Sequence, residues 1–216
     1  MIKNYLKLLV AMVFATNVMA QNIPSYVPKD GLVGWWPFNG NANDESGNGN
    51  HGTVNGATLT TDRYGKVNCA YSFDGDKDYI DIGNSNTLKR FKTNFTISAW
   101  IKPKKFSDSW EQSIISNRTT DNCGSKFGIG GQRNQIQGNL SYVINGGDKS
   151  ILTNSNEQLS IDTFQFVSIS STYKNNTTII RLYINNQNVI IDTLIDSLGR
   201  MCDPLNQKTT LVLNHI

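Results

Sequence analysis

The sequence is poor in charged side chains, which make up 17% of its 216 residues, and it has only two histidines and three cysteines. Its three glutamates, Glu45, Glu111 and Glu157, are widely separated, and no stretch is rich in helix-favouring residues. The histidines, His51 and His215, lie far apart and no nucleophile elbow is present, so nothing supports Ser-His-Asp chemistry. The chain is instead rich in glycine and asparagine, a composition typical of many short strands joined by turns.

The formal net charge of +3 does not indicate a nucleic-acid-binding protein. Two of the positive charges, Lys3 and Lys7, precede an apolar run at residues 8–18, which is followed by small residues before Gln21. This order predicts a secretory signal peptide over residues 1–20. Because the apolar run is too short to span a bilayer, we expect a secreted or cell-surface protein without membrane insertion. The remaining chain is close to neutral, so we expect no nucleic-acid partner.

The three cysteines show no Cys-x-x-Cys spacing, which argues against a cysteine metal site. Cys123 and Cys202 lie in polar stretches, and in an exported protein we predict that they form a disulfide. On the chain-entropy model, closing so long a loop contributes roughly 4 kcal/mol to stability. Cys69 lies in a predicted strand and is interpreted as a buried free thiol.

The most informative stretch is residues 31–82. It opens with GLVGWWPF at residues 31–38, continues through the loop NDESGNGNHG at residues 43–52, and closes with YSFDG and DYIDI at residues 71–75 and 78–82. This pattern predicts a short apolar strand, a long polar loop, and two short strands separated by a tight turn. The stretch resembles the laminin-G-like, concanavalin A-like domains of bacterial secreted and surface proteins.

The rest of the chain also predicts strands. In residues 95–101, FTISAWI, apolar residues alternate with Thr96, Ser98 and Trp100, so Trp100 shares a face with polar side chains. Further strands are predicted at residues 113–117, 126–129, 140–145, 150–154, 164–173, 177–185, 189–192 and 209–213. Residues 182–186, LYINN, resemble the family's Leu-Tyr-Ile-Asn-Gly element with Asn186 in place of glycine, and both residues tolerate the left-handed conformation of this turn.

The resemblance implies an all-β, antiparallel two-sheet jelly-roll sandwich of the concanavalin A-like type. We assign residues 21–30 to an unstructured leader and residues 31–216 to the domain. The chain ends before the Gly-x-Ile-Asp-Asp strand that family members usually carry. We therefore expect a domain that is incomplete at its C-terminus and is completed by further chain or by a partner segment. A longer chain would also carry further domains.

The resemblance also implies a structural Ca²⁺ at the rim of the sandwich. The oxygen-bearing side chains of the polar loop are the expected ligands, since calcium prefers oxygen donors: Asp44, Ser46, Asn48 and Asn50. The alternative is a loop whose side chains are satisfied by hydrogen bonds to its own backbone.

Carbohydrate is the second expected ligand, because aromatic rings stack on the apolar faces of sugars while polar side chains bond the hydroxyl groups. Trp110, within a polar stretch, is the best candidate, and Trp100 is the second, with packing beneath a loop as its alternative. Tyr142, Asn145 and Arg118 are predicted to add contacts if their loops converge.

Glucanases that share this fold carry a Glu-x-Asp-x-x-Glu strand, because a retaining mechanism of glycoside hydrolysis requires two carboxyl groups on one face. This sequence has no such pattern. We therefore predict a non-catalytic, carbohydrate-binding or adhesive module whose partner is a glycan or another cell-surface ligand. Two alternatives remain open: the targeting domain of a glycan-cleaving enzyme whose catalytic part is not in this chain, and a purely architectural surface spacer.

Overall fold

The computed structural model describes residues 23–88, 94–107, 112–117, 124–130, 137–146, 149–175, 177–195 and 210–211. The predicted signal peptide, Trp110, Arg118, Cys123 and Cys202 lie outside these residues. Across the described ranges, no helix is long and apolar enough to cross a membrane.

Thirteen strands form the described structure. They are β1 (Thr53–Asn55), β2 (Thr58–Thr60), β3 (Ala70–Ser72), β4 (Tyr79–Asp81), β5 (Phe95–Ile101), β6 (Gln112–Ser116), β7 (Gly124–Ile129), β8 (Asn139–Gly146), β9 (Lys149–Gln158), β10 (Gln165–Lys174), β11 (Thr177–Ile184), β12 (Gln187–Ile195) and β13 (Thr210–Leu211).

The strands assemble into two main antiparallel sheets. One has seven strands in the order β1-β4-β13-β6-β7-β8-β9, and the other has four in the order β12-β11-β10-β5. A separate two-stranded ribbon joins β2 to β3. This arrangement confirms the predicted all-β, antiparallel two-sheet sandwich of the jelly-roll kind.

A single hydrophobic core draws on both sheets. Phe127 and Leu140 come from the seven-stranded sheet, whereas Val167, Ile180 and Leu182 come from the four-stranded sheet, and all five are almost completely buried. The alternation predicted for β5 is confirmed, because its apolar positions face this core while Thr96, Ser98 and Trp100 face outward. Two faces of one strand thus have different roles, packing inside and an exposed surface outside.

The prediction of a strand at residues 31–38 is wrong. These residues form no strand, because their backbone groups bond to the polar loop instead of to a neighbouring strand. The Val33 carbonyl accepts hydrogen bonds from the side chains of Asn48 and Asn50, at 3.1 and 2.8 Å, and the Trp35 carbonyl accepts one from the Glu45 amide at 2.8 Å. The backbone is therefore satisfied locally, without sheet pairing.

The turn between β11 and β12 has the predicted left-handed geometry. Asn185 and Asn186 have φ angles of 49° and 65°, the conformation that asparagine tolerates better than most residues. Asn185 also accepts a 3.0 Å hydrogen bond from the Phe166 amide through its side-chain oxygen. This bond connects the turn to β10, the strand beside it.

Candidate functional site

The exposed aromatic residue of the four-stranded sheet is Trp100, whose side chain lies on the outer face of β5. The register pairs it with Phe166 on β10, and the two ring centroids are 5.5 Å apart. Trp100 is 44% exposed, whereas its neighbours along the chain, Ala99 and Ile101, face the core. Two aromatic rings thus lie together on the outer face of the sheet, away from the hydrophobic core.

The turn between β2 and β3 places a cation over this surface. The Arg63 guanidinium carbon lies 4.4 Å from the centroid of the Trp100 ring and 4.2 Å from that of Tyr64. Its Nη2 donates a 2.8 Å hydrogen bond to the Tyr64 hydroxyl. Tyr64 is 78% exposed. We call Arg63, Tyr64, Trp100 and Phe166 the outer-face cluster; the contacts of Arg63 with the Tyr64 and Trp100 rings are of the cation–π kind.

The turn that carries Arg63 is held by its own hydrogen bonds. Asp62 Oδ1 accepts bonds from the amides of Tyr64 and Lys66 at 2.8 and 2.9 Å, and the Asp62 amide bonds the Lys66 carbonyl at 3.0 Å. The bond from the Lys66 amide is the main cause that lowers the pKa of Asp62, and the Arg63 charge adds to it. Gly65 has a φ of +83°, which a side-chain-bearing residue would adopt only with strain.

The outward positions of β5, β10 and β11 carry no acidic residue. They do carry Arg181, opposite Ser170 of β10. Just beyond β5, the Lys102 ammonium lies 5.7 Å from the ring centroid of Phe164. These cations bring positive charge to the outer face, although Asp62 lies next to Arg63 in the turn.

The predicted calcium loop has a different character. The Asp44 carboxylate, 4% exposed, accepts four hydrogen bonds from its surroundings. Oδ1 accepts them from the amides of Trp35 and Ser46 at 2.9 and 2.8 Å, and Oδ2 from the Ser46 hydroxyl and the Asn50 amide at 2.9 and 3.0 Å. The lone pairs that a cation would use are therefore engaged by donors from the protein.

The two asparagines of the loop are engaged in the same way. Asn48 Nδ2 donates to the carbonyls of Leu32 and Val33 at 2.8 and 3.1 Å. Asn50 Oδ1 accepts hydrogen bonds from the hydroxyls of Ser85 and Thr87. This arrangement fits a loop satisfied by its own hydrogen bonds better than a cation cage. Calcium at Asp44, Ser46, Asn48 and Asn50 stays a prediction.

Tyr142, predicted as a sugar contact, lies in the core rather than at the surface. It is 5% exposed, and its ring centroid is 6.1 Å from that of Phe95. Burial raises its pKa to about 12, and a hydrogen bond with Ser125 opposes this shift. Asn145 lies near the end of β8, opposite Gly124 of β7. Trp110 and Arg118 lie outside the described residues, so no convergence of loops around them is tested.

The predicted disulfide partners, Cys123 and Cys202, also lie outside the described residues. Cys69 is a free thiol, as predicted, although it is only partly buried. Among the residues that the structure describes, no group of three or more histidine, cysteine, aspartate or glutamate side chains is placed to hold a metal ion.

Sequence reasoning missed three members of the outer-face cluster. Arg63, Tyr64 and Phe166 were not among the residues predicted to bind a ligand. The available signal was Asp62-Arg63-Tyr64-Gly65-Lys66, an aspartate and a glycine at turn spacing with a cation and an aromatic residue between them. Nothing in that pattern identifies Trp100 as the ring beneath.

Two antiparallel sheets around one core, with their strands connected as described, define a β-sandwich of the jelly-roll class. The family model Laminin_G_3, described as the concanavalin A-like lectin/glucanases superfamily, matches residues 74–198, which is more than half of the chain. The chain therefore belongs to this family, and the resemblance that its motifs suggested is confirmed.

Solved structures of similar fold include carbohydrate-binding and phage proteins. The CBM40 of the Ruminococcus gnavus IT-sialidase, bound to alpha2,3 sialyllactose, is 12% identical, with a TM-score of 0.43 over 76% of this chain and 81% of that chain. Tailspike protein 2 of Escherichia coli O157:H7 bacteriophage CAB120 is 11% identical, with a TM-score of 0.48 over 74% of this chain and 22% of that chain. No curated protein in the comparison matches the chain.

Proposed function

We propose that this chain is a non-catalytic carbohydrate-binding or adhesive module of an exported protein, and that the outer-face cluster is its glycan-binding surface. The observation that carries the proposal is the exposed Trp100 beside Phe166 on the outer face of the four-stranded sheet. A half-exposed tryptophan is costly to leave in water, and aromatic rings are the usual apolar contact for sugars in binding sites.

The neighbours of the two rings suit a sugar. Ser98 and Thr96 lie two and four residues before Trp100, on the same exposed face of β5. Hydroxyl groups beside an aromatic surface offer hydrogen bonds to sugar hydroxyls, while the rings contact the apolar sugar face. The face is thus partly apolar and partly polar, as a sugar-binding surface must be.

Absence of the glucanase pattern supports a binding role over a catalytic one. The chain has no Glu-x-Asp-x-x-Glu strand, and a retaining mechanism needs two carboxyl groups about 5 Å apart. A reducing-sugar assay on a panel of polysaccharides tests this. Release of reducing ends by the purified chain would overturn the non-catalytic assignment. The chain as the targeting part of a larger enzyme remains the alternative function.

A glycan array probed with the full chain tests the binding proposal. We expect binding to a subset of glycans, loss of it in Trp100→Ala, and retention of it in Trp110→Ala. Loss in Trp110→Ala with retention in Trp100→Ala would move the site to the loop around Trp110, as the sequence first indicated. If the wild-type chain binds no glycan on the array, the glycan-binding proposal is overturned and the architectural spacer is favoured.

The proposal includes export and a structural calcium ion at Asp44, Ser46, Asn48 and Asn50. Export is supported by the basic and apolar order of residues 1–20. It is tested by the intact mass of the protein secreted by its source, which should begin at Gln21. Calcium is supported by the oxygen-rich composition of the loop, and the addition and chelation of calcium test it.

A further inference from the structure

Within the outer-face cluster, the guanidinium group of Arg63 is only partly engaged by the described residues. Among the described residues its hydrogen bond goes to the Tyr64 hydroxyl, and no carboxylate forms a salt bridge with it. A guanidinium has five N–H donors in a planar fork. The fold therefore engages one of these donors and leaves the others at a partly exposed surface.

The position of Arg63 is set before any ligand arrives. Its guanidinium carbon lies 4.2 and 4.4 Å from the ring centroids of Tyr64 and Trp100. The hydrogen-bonded turn from Asp62 to Lys66 holds its backbone. Because the side chain is already ordered, binding would cost less conformational entropy than it would for a free arginine. An arginine that is held in place with free N–H donors and no bonded carboxylate is suited to recognise an anion.

The neighbouring carboxylate, Asp62, forms no salt bridge with the guanidinium, although the two charges interact. Asp62 is next to Arg63 in sequence and offsets part of its charge, while its Oδ1 accepts the amides of Tyr64 and Lys66 and does not bond the guanidinium. No acidic residue occupies an outward position of β5, β10 or β11, whereas Lys102 and Arg181 add positive charge. An anion that approaches this face meets attraction from several cations.

We infer that Arg63 binds the carboxylate of an acidic sugar, so that the ligand of the outer-face cluster is an acidic glycan. The carboxylate matches the guanidinium fork in a two-point hydrogen bond, and the sugar ring lies against the part of the Tyr64 and Trp100 rings that Arg63 leaves exposed. This inference rests on the glycan-binding function proposed above, and it goes further by naming the chemical class of the sugar.

The experiment uses an array on which each carboxylated glycan is printed beside its carboxyl-reduced, neutral counterpart, with sulfated glycans as a separate set. The full chain is compared with Arg63→Gln, Arg63→Lys and Lys66→Gln. Lys66→Gln is the matched control, because it removes one positive charge from the same turn while its side chain makes no described contact with the rings.

We expect the wild type to bind carboxylated glycans at least tenfold more tightly than the reduced forms. Arg63→Gln should lower this affinity ratio to about one, and Arg63→Lys should restore part of it. Lys66→Gln should keep the ratio within about twofold of the wild-type value. The ratio between paired glycans reports recognition of the carboxylate, whereas a general loss of structure would lower the binding of both members. Unfolding curves for each variant show whether the fold is retained.

Three results would overturn the inference. Equal binding of the carboxylated and reduced members would do so while leaving glycan binding intact, and so would an unchanged ratio in Arg63→Gln. Binding to sulfated glycans without binding to carboxylated ones would show that the anion is of another kind. Absence of binding to every glycan would instead overturn the proposed function itself, so the two failures are distinguishable.

Discussion

The polar loop at residues 43–52 and the outer-face cluster both bring polar groups together, but they differ in where those groups find partners. In the loop, Asp44 accepts four hydrogen bonds, and Asn50 bonds to Val33, Ser85 and Thr87. In the cluster, the Arg63 guanidinium has one described hydrogen bond, and much of the ring surface beside it remains exposed.

The difference indicates which region stabilises the fold and which is available to a ligand. A polar group whose partners lie in the same chain adds to stability and has little left to offer. A charged group that is held in place without a bonded carboxylate keeps hydrogen-bonding capacity for a ligand. The most polar stretch of the sequence is for this reason not the best candidate for the binding site.

Removal of the Asp44 carboxylate is expected to have the largest effect. Asp44→Ala leaves the amides of Trp35, Ser46 and Asn50 without their acceptor, and each buried donor left unpaired costs about 1–3 kcal/mol. We expect the free energy of unfolding to fall by at least about 3 kcal/mol, measured by denaturant titration.

The matched control for this substitution is Asp76→Ala. Asp76 has a side chain that is 76% exposed and lies 3.9 Å from the Lys77 ammonium. Exposed pairs of this kind contribute little, so the unfolding free energy should change by less than about 0.5 kcal/mol. Similar losses in both variants would contradict the structural role assigned to the loop.

Alkaline pH should destabilise the protein through Tyr142. Its pKa is raised to about 12 in the folded chain, against an ordinary value of 10.0. The stability it contributes is fully present below pH 10 and is lost as pH rises towards 12, because only the unfolded chain releases the proton in this range. The expected slope is about 1.4 kcal/mol for each pH unit.

The comparison for this slope is Tyr142→Phe, which keeps the ring and removes the titrating hydroxyl. Its unfolding free energy, measured between pH 9 and 12, should fall less steeply than that of the wild type. If the unfolding free energy falls equally with pH in both proteins, Tyr142 is not buried in its protonated form. It would then again be a candidate for contact with a sugar at the surface.

Trp100→Ala should separate binding from stability. We expect glycan affinity to fall about tenfold or more, since tenfold corresponds to about 1.4 kcal/mol and aromatic contacts contribute amounts of this order. The unfolding free energy should change far less than in Asp44→Ala, because Trp100 is partly exposed. A large loss of stability with unchanged glycan affinity would make Trp100 a packing residue beneath the turn.

Calcium is expected to give the smallest effect, because protein donors already engage the Asp44 carboxylate. With a dissociation constant of about 1 mM, typical of weak extracellular sites, 1 mM calcium adds roughly 0.4 kcal/mol. The midpoint of thermal unfolding should then rise by about 1–2 °C and return on chelation. An identical midpoint with calcium and with EDTA would remove the ion from the proposal.

The sequence was sufficient for the fold because period-two alternation and turn residues act locally. The alternation of β5 gave the correct inward and outward faces, and the Asn185–Asn186 turn follows from the tolerance of asparagine for positive φ. The prediction at residues 31–38 failed because their apolar pattern is the same whether the backbone bonds to a strand or to loop side chains.

The candidate site was only partly predictable. Trp100 was identified from its place among polar residues, but Arg63 and Phe166 reach it through sheet register and the course of a turn. Contacts between such distant segments leave no mark in any single stretch of sequence. Tyr142 shows the converse, since alternation along β8 places it on the same face as Leu140 and Ile144, and its burial was therefore predictable.

The pairing of Trp100 with Phe166 has a consequence for the order of events during synthesis and folding. When a growing chain has emerged only as far as β5, it contains Arg63 and Trp100, but β10 does not yet exist and the outer-face cluster is incomplete. Pairing between strands so distant in sequence forms slowly compared with local turns. The onset of ligand recognition would then coincide with completion of the four-stranded sheet, so nascent or partly folded chains would not compete with mature ones.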